Sequence, residues 1–182
     1  LSLDWVYQLF TLFLYIALKR NLYGFHGNTI GSKGILHLNK KQTRFLLLNL
    51  GHYLDHFFML VFASAAALKL IHDWEMSYAE LIPYATPGFV AYAVFSLPSG
   101  WLADRWSRDS MIIIFFIGIG FSSFITALAQ SPLQIALGLT LIGIFAAIYH
   151  PVGIALVIEG HVRTGMPLAI NGVFGNIGVG SA

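Results

Sequence analysis

Asp55 lies deep in a long apolar stretch, with His52 three residues before it and His56 directly after it in Gly51-His52-Tyr53-Leu54-Asp55-His56. Ten residues separate it from Phe45, where the apolar run begins. At about 1.5 Å per residue it would sit about 15 Å deep, near the middle of a hydrocarbon layer about 30 Å thick. A carboxylate in that position is costly unless it is paired, hydrated or protonated, so its default reading is functional. On a helix His52 shares a face with Asp55, while His56 points about 100° away. An acid and an imidazole within reach can pass or share a proton. The bland alternative is a structural hydrogen bond from Asp55 to a neighbouring helix, with His56 in packing or water contact.

The same residues admit a second chemistry. His52 and His56 have the i, i+4 spacing with which membrane di-iron oxidases and desaturases hold metal. Such sites assemble several His clusters, whereas His26, His37, His72, His150 and His161 stand isolated along the chain. Imidazole's preference for transition metals does not supply the absent clusters. The sequence therefore predicts no metal site, no cofactor and no enzyme, with a His-dependent membrane metalloenzyme kept as a rival reading.

Two further stretches carry polar groups within apolar surroundings. In Tyr149-His150-Pro151-Val152-Gly153 the proline frees a backbone carbonyl about one turn earlier and can kink a helix, leaving that carbonyl to a neighbouring span or to water. His150 then faces a central cavity or forms part of a gate, or Pro151 merely improves packing. In Asn171-Gly172-Val173-Phe174-Gly175-Asn176-Ile177-Gly178-Val179-Gly180, small residues permit close helix approach and amides can bond across it. Gly172, Gly175 and Gly178 are read as packing positions, and Asn176 as a residue facing substrate.

The elements that position these residues follow from composition. Hydrophobic residues make up 57% of the 182 and charged residues 10%, against about a quarter charged in soluble domains. The chain is thus an integral, multi-pass membrane protein with the lipid bilayer as partner. A formal net charge of +2, carried by scattered basic residues, gives no nucleic-acid footprint. Zero Cys excludes disulfides and thiolate metal sites.

Five spans are predicted, at residues 45–71, 78–103, 110–129, 133–158 and, incomplete, 166–182. The connections 40–44, 104–109 and 159–165 hold Lys40, Lys41, Arg44, Arg105, Arg108 and Arg163 and should be cytoplasmic by the positive-inside rule. On the other side, residues 72–77 carry Asp73 and Glu75 but no Lys or Arg, and Lys69 near them can snorkel outward. Residues 1–39 read as a leader of uncertain status, a short apolar helix from Leu3 to Leu18 followed by a Gly-rich loop. Lys19 and Arg20 follow the apolar core instead of preceding it, which argues against a signal peptide; an extra amphipathic anchor is the functional alternative.

Between the second and third predicted spans lies Ser99-Gly100-Trp101-Leu102-Ala103-Asp104-Arg105-Trp106-Ser107-Arg108-Asp109. This hinge resembles the G-x-L-a-D-r-x-G-r pattern that joins the second and third spans of the major facilitator superfamily. Gly100, Leu102, Ala103, Asp104, Arg105 and Arg108 match position by position, and Ser107 stands where the family usually has a second Gly. The resemblance covers residues from about 40 onward and implies an all-α membrane protein, the partial six-helix half of a facilitator with about five transmembrane helices. It identifies the chain as an amino-terminal piece truncated in its fifth span, with the missing carboxy-terminal half as partner.

The resemblance also implies alternating access between two six-helix halves. Asp104 would accept hydrogen bonds from a helix start in the other half, where a carboxylate is favoured. Gly100, Arg105 and Arg108 would complete a latch closing the cytoplasmic side. The first span with His52, Asp55 and His56, the fourth with His150-Pro151 and the Gly-Asn-rich fifth look similar to the fosmidomycin-resistance branch, a drug-efflux group. The expected function is proton-coupled export of a small molecule by an antiporter of the inner or plasma membrane, with Asp55 as coupling acid. The alternative from another class is a non-transporting membrane scaffold.

Overall fold

The computed structural model describes residues 39–182. The predicted leader, Asn39 apart, lies outside them. Among the described residues all regular structure is helical. Four helices are long and apolar enough to cross a bilayer: α1 (Lys40–Asp73), α2 (Tyr78–Arg105), α3 (Arg108–Ala127) and α4 (Pro132–Ile158). A fifth, α5 (Gly165–Ser181), has 17 residues.

The predicted spans agree with these helices to within a few residues, with one exception at the start. Residues 40–44, read as a connection, form the first turn of α1. Lys40, Lys41 and Arg44 contain no helix breaker, so the apolar helix simply continues outward through them.

Local chemistry sets the other boundaries. A capping box opens α2: the Ser77 hydroxyl accepts from the Glu80 amide, and Glu80 takes the Ser77 amide at 2.8 Å. Ser107 adopts an extended backbone and caps α3 through the Ser110 amide at 3.2 Å. The hinge's departure from Gly at this position therefore supplies a helix start. Ser131 caps α4, with Pro132 at its first position, where an absent N–H costs nothing.

Close approach between helices rests on glycine. A Cβ at Gly88 would lie 2.7 Å from the Leu139 carbonyl oxygen, and one at Gly143 would strike the Gly88 carbonyl, so α2 and α4 pack backbone to backbone. In α5, a Cβ at Gly178 would meet the Tyr53 carbonyl and one at Gly175 would come within 2.7 Å of the His52 ring. Gly172 differs from its predicted role, because it faces open space with nothing within 4 Å. It lies three residues before Gly175, and the buried face of α5 runs instead through Asn171, Gly175 and Gly178.

Leu48, Phe115, Ile119, Ile142, Tyr149 and Val152 form the central part of the core where α1, α3 and α4 meet. Leu97, Ile117, Phe121, Leu133 and Leu137 point outward and are exposed, as expected of side chains bathed in lipid.

Candidate functional site

The site forms at mid-length of α1, opposite a distortion in α4. Residues Tyr149–Gly153 make a π-helical turn, and α-helical geometry resumes at Ile154. Pro151 offers no amide, and the wider turn accommodates its ring. Gly100 of α2 fits against that ring: a Cβ there would lie 3.2 Å from the Pro151 Cβ. The turn swings His150 toward α1.

Asp55 is buried, with 1% of its surface exposed. Its Oδ2 lies 3.4 Å from His150 Nε2, whereas its Oδ1 is buried without a hydrogen-bond partner. Tyr92 of α2 turns its phenol toward the same carboxylate, and its ring meets His150 edge-on at 6.2 Å. The imidazole facing the acid thus comes from another helix. His52, expected to serve Asp55 from one turn away, is committed elsewhere.

His52 Nδ1 is 2.8 Å from the Asn171 backbone carbonyl and its Nε2 is 3.1 Å from His56 Nε2. A carbonyl can only accept, so His52 carries its proton on Nδ1 and presents a lone pair at Nε2. His56 in turn donates from Nε2 when both rings are neutral. The His52 ring stacks on Tyr149 at 5.1 Å between centroids, and His56 stands 5.5 Å from His150. The three imidazoles converge so that one ring nitrogen from each lies within 4.8 Å of the others. His150, isolated along the sequence, is therefore not isolated in space.

A buried amide network supports the cluster. Asn171 Nδ2 donates to Asn49 Oδ1 at 3.1 Å and to the Tyr149 hydroxyl at 2.9 Å. Tyr149 donates to the Leu48 carbonyl at 2.6 Å, and Asn49 donates to the Phe45 carbonyl at 2.8 Å. Sequence reasoning missed Asn49, Tyr92, Tyr149 and Asn171 as site residues. For Asn49 the available signal was its position one turn before His52 on an apolar helix, where an amide requires a partner. Of the two amides in α5, Asn171 enters the site. Asn176 is exposed on another face, because five residues at about 100° each carry it well around the helix.

Of the predicted latch residues, Gly100 packs against Pro151, whereas the charged Asp104, Arg105 and Arg108 are exposed. Arg108 donates to Asp104 at 2.7 Å, and the Arg105 guanidinium lies 4.3 Å from the centroid of the Trp101 ring. Near them, Arg44 at the start of α1 reaches Asp109 of α3 at 3.1 Å and Glu159, just past α4, at 2.8 Å. This three-residue junction escaped the sequence reading, since its acids lie 65 and 115 residues from Arg44.

Comparison with known proteins places the arrangement in context. The family model of the Major Facilitator Superfamily matches residues 45–182. A gallate transporter of Pseudomonas putida is 33% identical over 78 residues, a stretch covering 43% of this chain and 17% of that protein. The match thus spans less than a fifth of that relative's length. No solved structure matches the chain.

Proposed function

We propose that this chain, which belongs to the Major Facilitator Superfamily, is part of a secondary transporter that exports a small molecule in exchange for protons. The carrying observation is Asp55, a carboxylate buried within a long apolar helix and facing His150 and Tyr92 from two other helices. A buried acid that meets side chains from two other helices would be placed to exchange a proton when access switches from one side of the membrane to the other. His52, His56 and His150 would line the solute's path beside it. Asn176, exposed on α5, would face solute from the part of the cavity completed by the transporter's remaining helices.

In this reading Gly100 lets α2 pass close to the π-turn, and Asp104, Arg105 and Arg108 form the latch toward the other half of the transporter. Asp104 is paired with Arg108 yet more than half exposed, which leaves it room to accept from a further helix start. The basic residues in 40–44, 104–109 and 159–165 favour a cytoplasmic location for these segments, in an inner or plasma membrane.

The likeness to a gallate transporter favours a second reading for the solute, a small aromatic acid. Imidazoles and the Tyr92 phenol supply the donors and ring faces that such a molecule would use.

The test is proton movement in proteoliposomes containing the full-length protein and an internal pH dye. Gallate added outside should change the internal pH with the wild type, and Asp55→Asn should abolish the change while leaving expression and monodispersity intact. Wild-type proton flux in Asp55→Asn would remove Asp55 from the coupling mechanism. No gallate response in the wild type would reject the aromatic-acid reading; the export reading is tested in the same vesicles by solute loss on imposing a pH gradient.

A further inference from the structure

We propose that His52, His56 and His150, with Asp55 beside them as an outer partner, form a binding site for one divalent first-row transition-metal ion of zinc's class. The inference concerns ligand geometry and stands whether or not the chain moves protons.

The distances suit a common ion. Nitrogens bound to zinc at about 2.0–2.1 Å in a tetrahedron lie about 3.3 Å from one another. His52 Nε2 and His56 Nε2 are 3.1 Å apart, already at that separation, on an i, i+4 pair that projects both rings from one face of α1. One ligand nitrogen from each of the three rings lies within 4.8 Å of the others, so the widest pair must close by at most roughly 1.5 Å. His150, whose side chain is 35% exposed, has room to rotate.

The surroundings suit it as well. A metal-bound imidazole characteristically donates its other N–H to a carbonyl or carboxylate, which fixes ring and tautomer. His52 does so through Nδ1 to the Asn171 carbonyl at 2.8 Å, leaving its Nε2 lone pair, 3.1 Å from His56 Nε2, to bind the ion. His56 has only to move its proton to Nδ1 to present Nε2 in the same way. Asp55 stands outside the three-imidazole group but against it, its Oδ2 3.4 Å from His150 Nε2, where a carboxylate can orient a ligand ring as an outer partner. Three imidazoles, without thiolate, match zinc, nickel, cobalt or copper more closely than magnesium or calcium.

The experiment uses the full-length protein, purified without a polyhistidine tag, stripped with EDTA and dialysed against Zn2+ in detergent. Elemental analysis should find one tightly held zinc per chain, and Co2+ should give the visible absorption bands of a low-coordinate nitrogen and oxygen site. His56→Ala and His150→Ala should each weaken Zn2+ binding by about tenfold or more. His72→Ala, at the exposed end of α1, should leave it unchanged. Zinc retained at wild-type affinity in His56→Ala or His150→Ala, or loss only in His72→Ala, would overturn the site. Because His52 packs against Tyr149 and Gly175, its substitution can disturb folding. The Co2+ spectrum of the wild type needs no variant, and its absence at saturating metal would also overturn the assignment.

Discussion

The His52 imidazole donates to the backbone carbonyl of Asn171, 119 residues away, at 2.8 Å and so ties α1 to α5 at the level of the acid. The bond uses the main chain of Asn171, which leaves that residue's side chain free for Asn49 and Tyr149. One residue therefore fixes both the His52 ring and the amide network behind it.

Replacing Asn171 with Leu should keep the His52 contact but strand Asn49 Oδ1 in the core. The expected loss is about 1–3 kcal/mol, the cost of an unsatisfied buried polar group. Thermal unfolding of the purified protein measures it. The double variant Asn49→Leu/Asn171→Leu should be less destabilised than the sum of its singles, since it removes both partners.

Gly143→Ala should destabilise by about 1–3 kcal/mol, because the added methyl strikes the Gly88 carbonyl and must push α4 from α2. Gly172→Ala should leave the melting temperature unchanged or raise it, as its Cβ meets nothing and alanine favours helix. Equal effects of the two would contradict the packing described.

How much of this was legible beforehand depended on the range of the interaction. Span positions followed from apolar length, a local signal, whereas the serine caps that start α2, α3 and α4 emerged only with the structure. Asp55 stood out because an acid in an apolar run is visible without knowing any neighbour. What it faces was hidden: His150 comes from a helix 95 residues later and is aimed by a π-turn whose register no periodic pattern announces. The choice between Asn171 and Asn176 depended on helix phase, which a Gly-rich stretch does not reveal.

Pro151→Ala should let the turn at Tyr149–Gly153 relax toward regular α-helix and rotate His150 away from Asp55. Transport in proteoliposomes should fall while the protein remains folded. A structure of the variant with the His150 to Asp55 distance still near 3.4 Å would show that the π-turn does not depend on proline.

Topology is open to direct labelling, because the chain contains no cysteine of its own. Single cysteines at Arg44, Arg105 and Arg163 should react with an impermeant maleimide from one face only. Cysteines at Glu75 and Ser131 should react from the other. Labelling of the 105 and 163 positions from opposite faces would contradict the assigned orientation.

The junction at Arg44 gathers three helix ends at one point. Its guanidinium bridges Asp109 of α3 and Glu159 just past α4, so the ends of α1, α3 and α4 meet at a single surface ion-pair cluster. Exposed pairs of this kind contribute about 0–1 kcal/mol each and weaken as salt rises. They bias the register of these ends, while the glycine contacts and the amide network in the interior hold it.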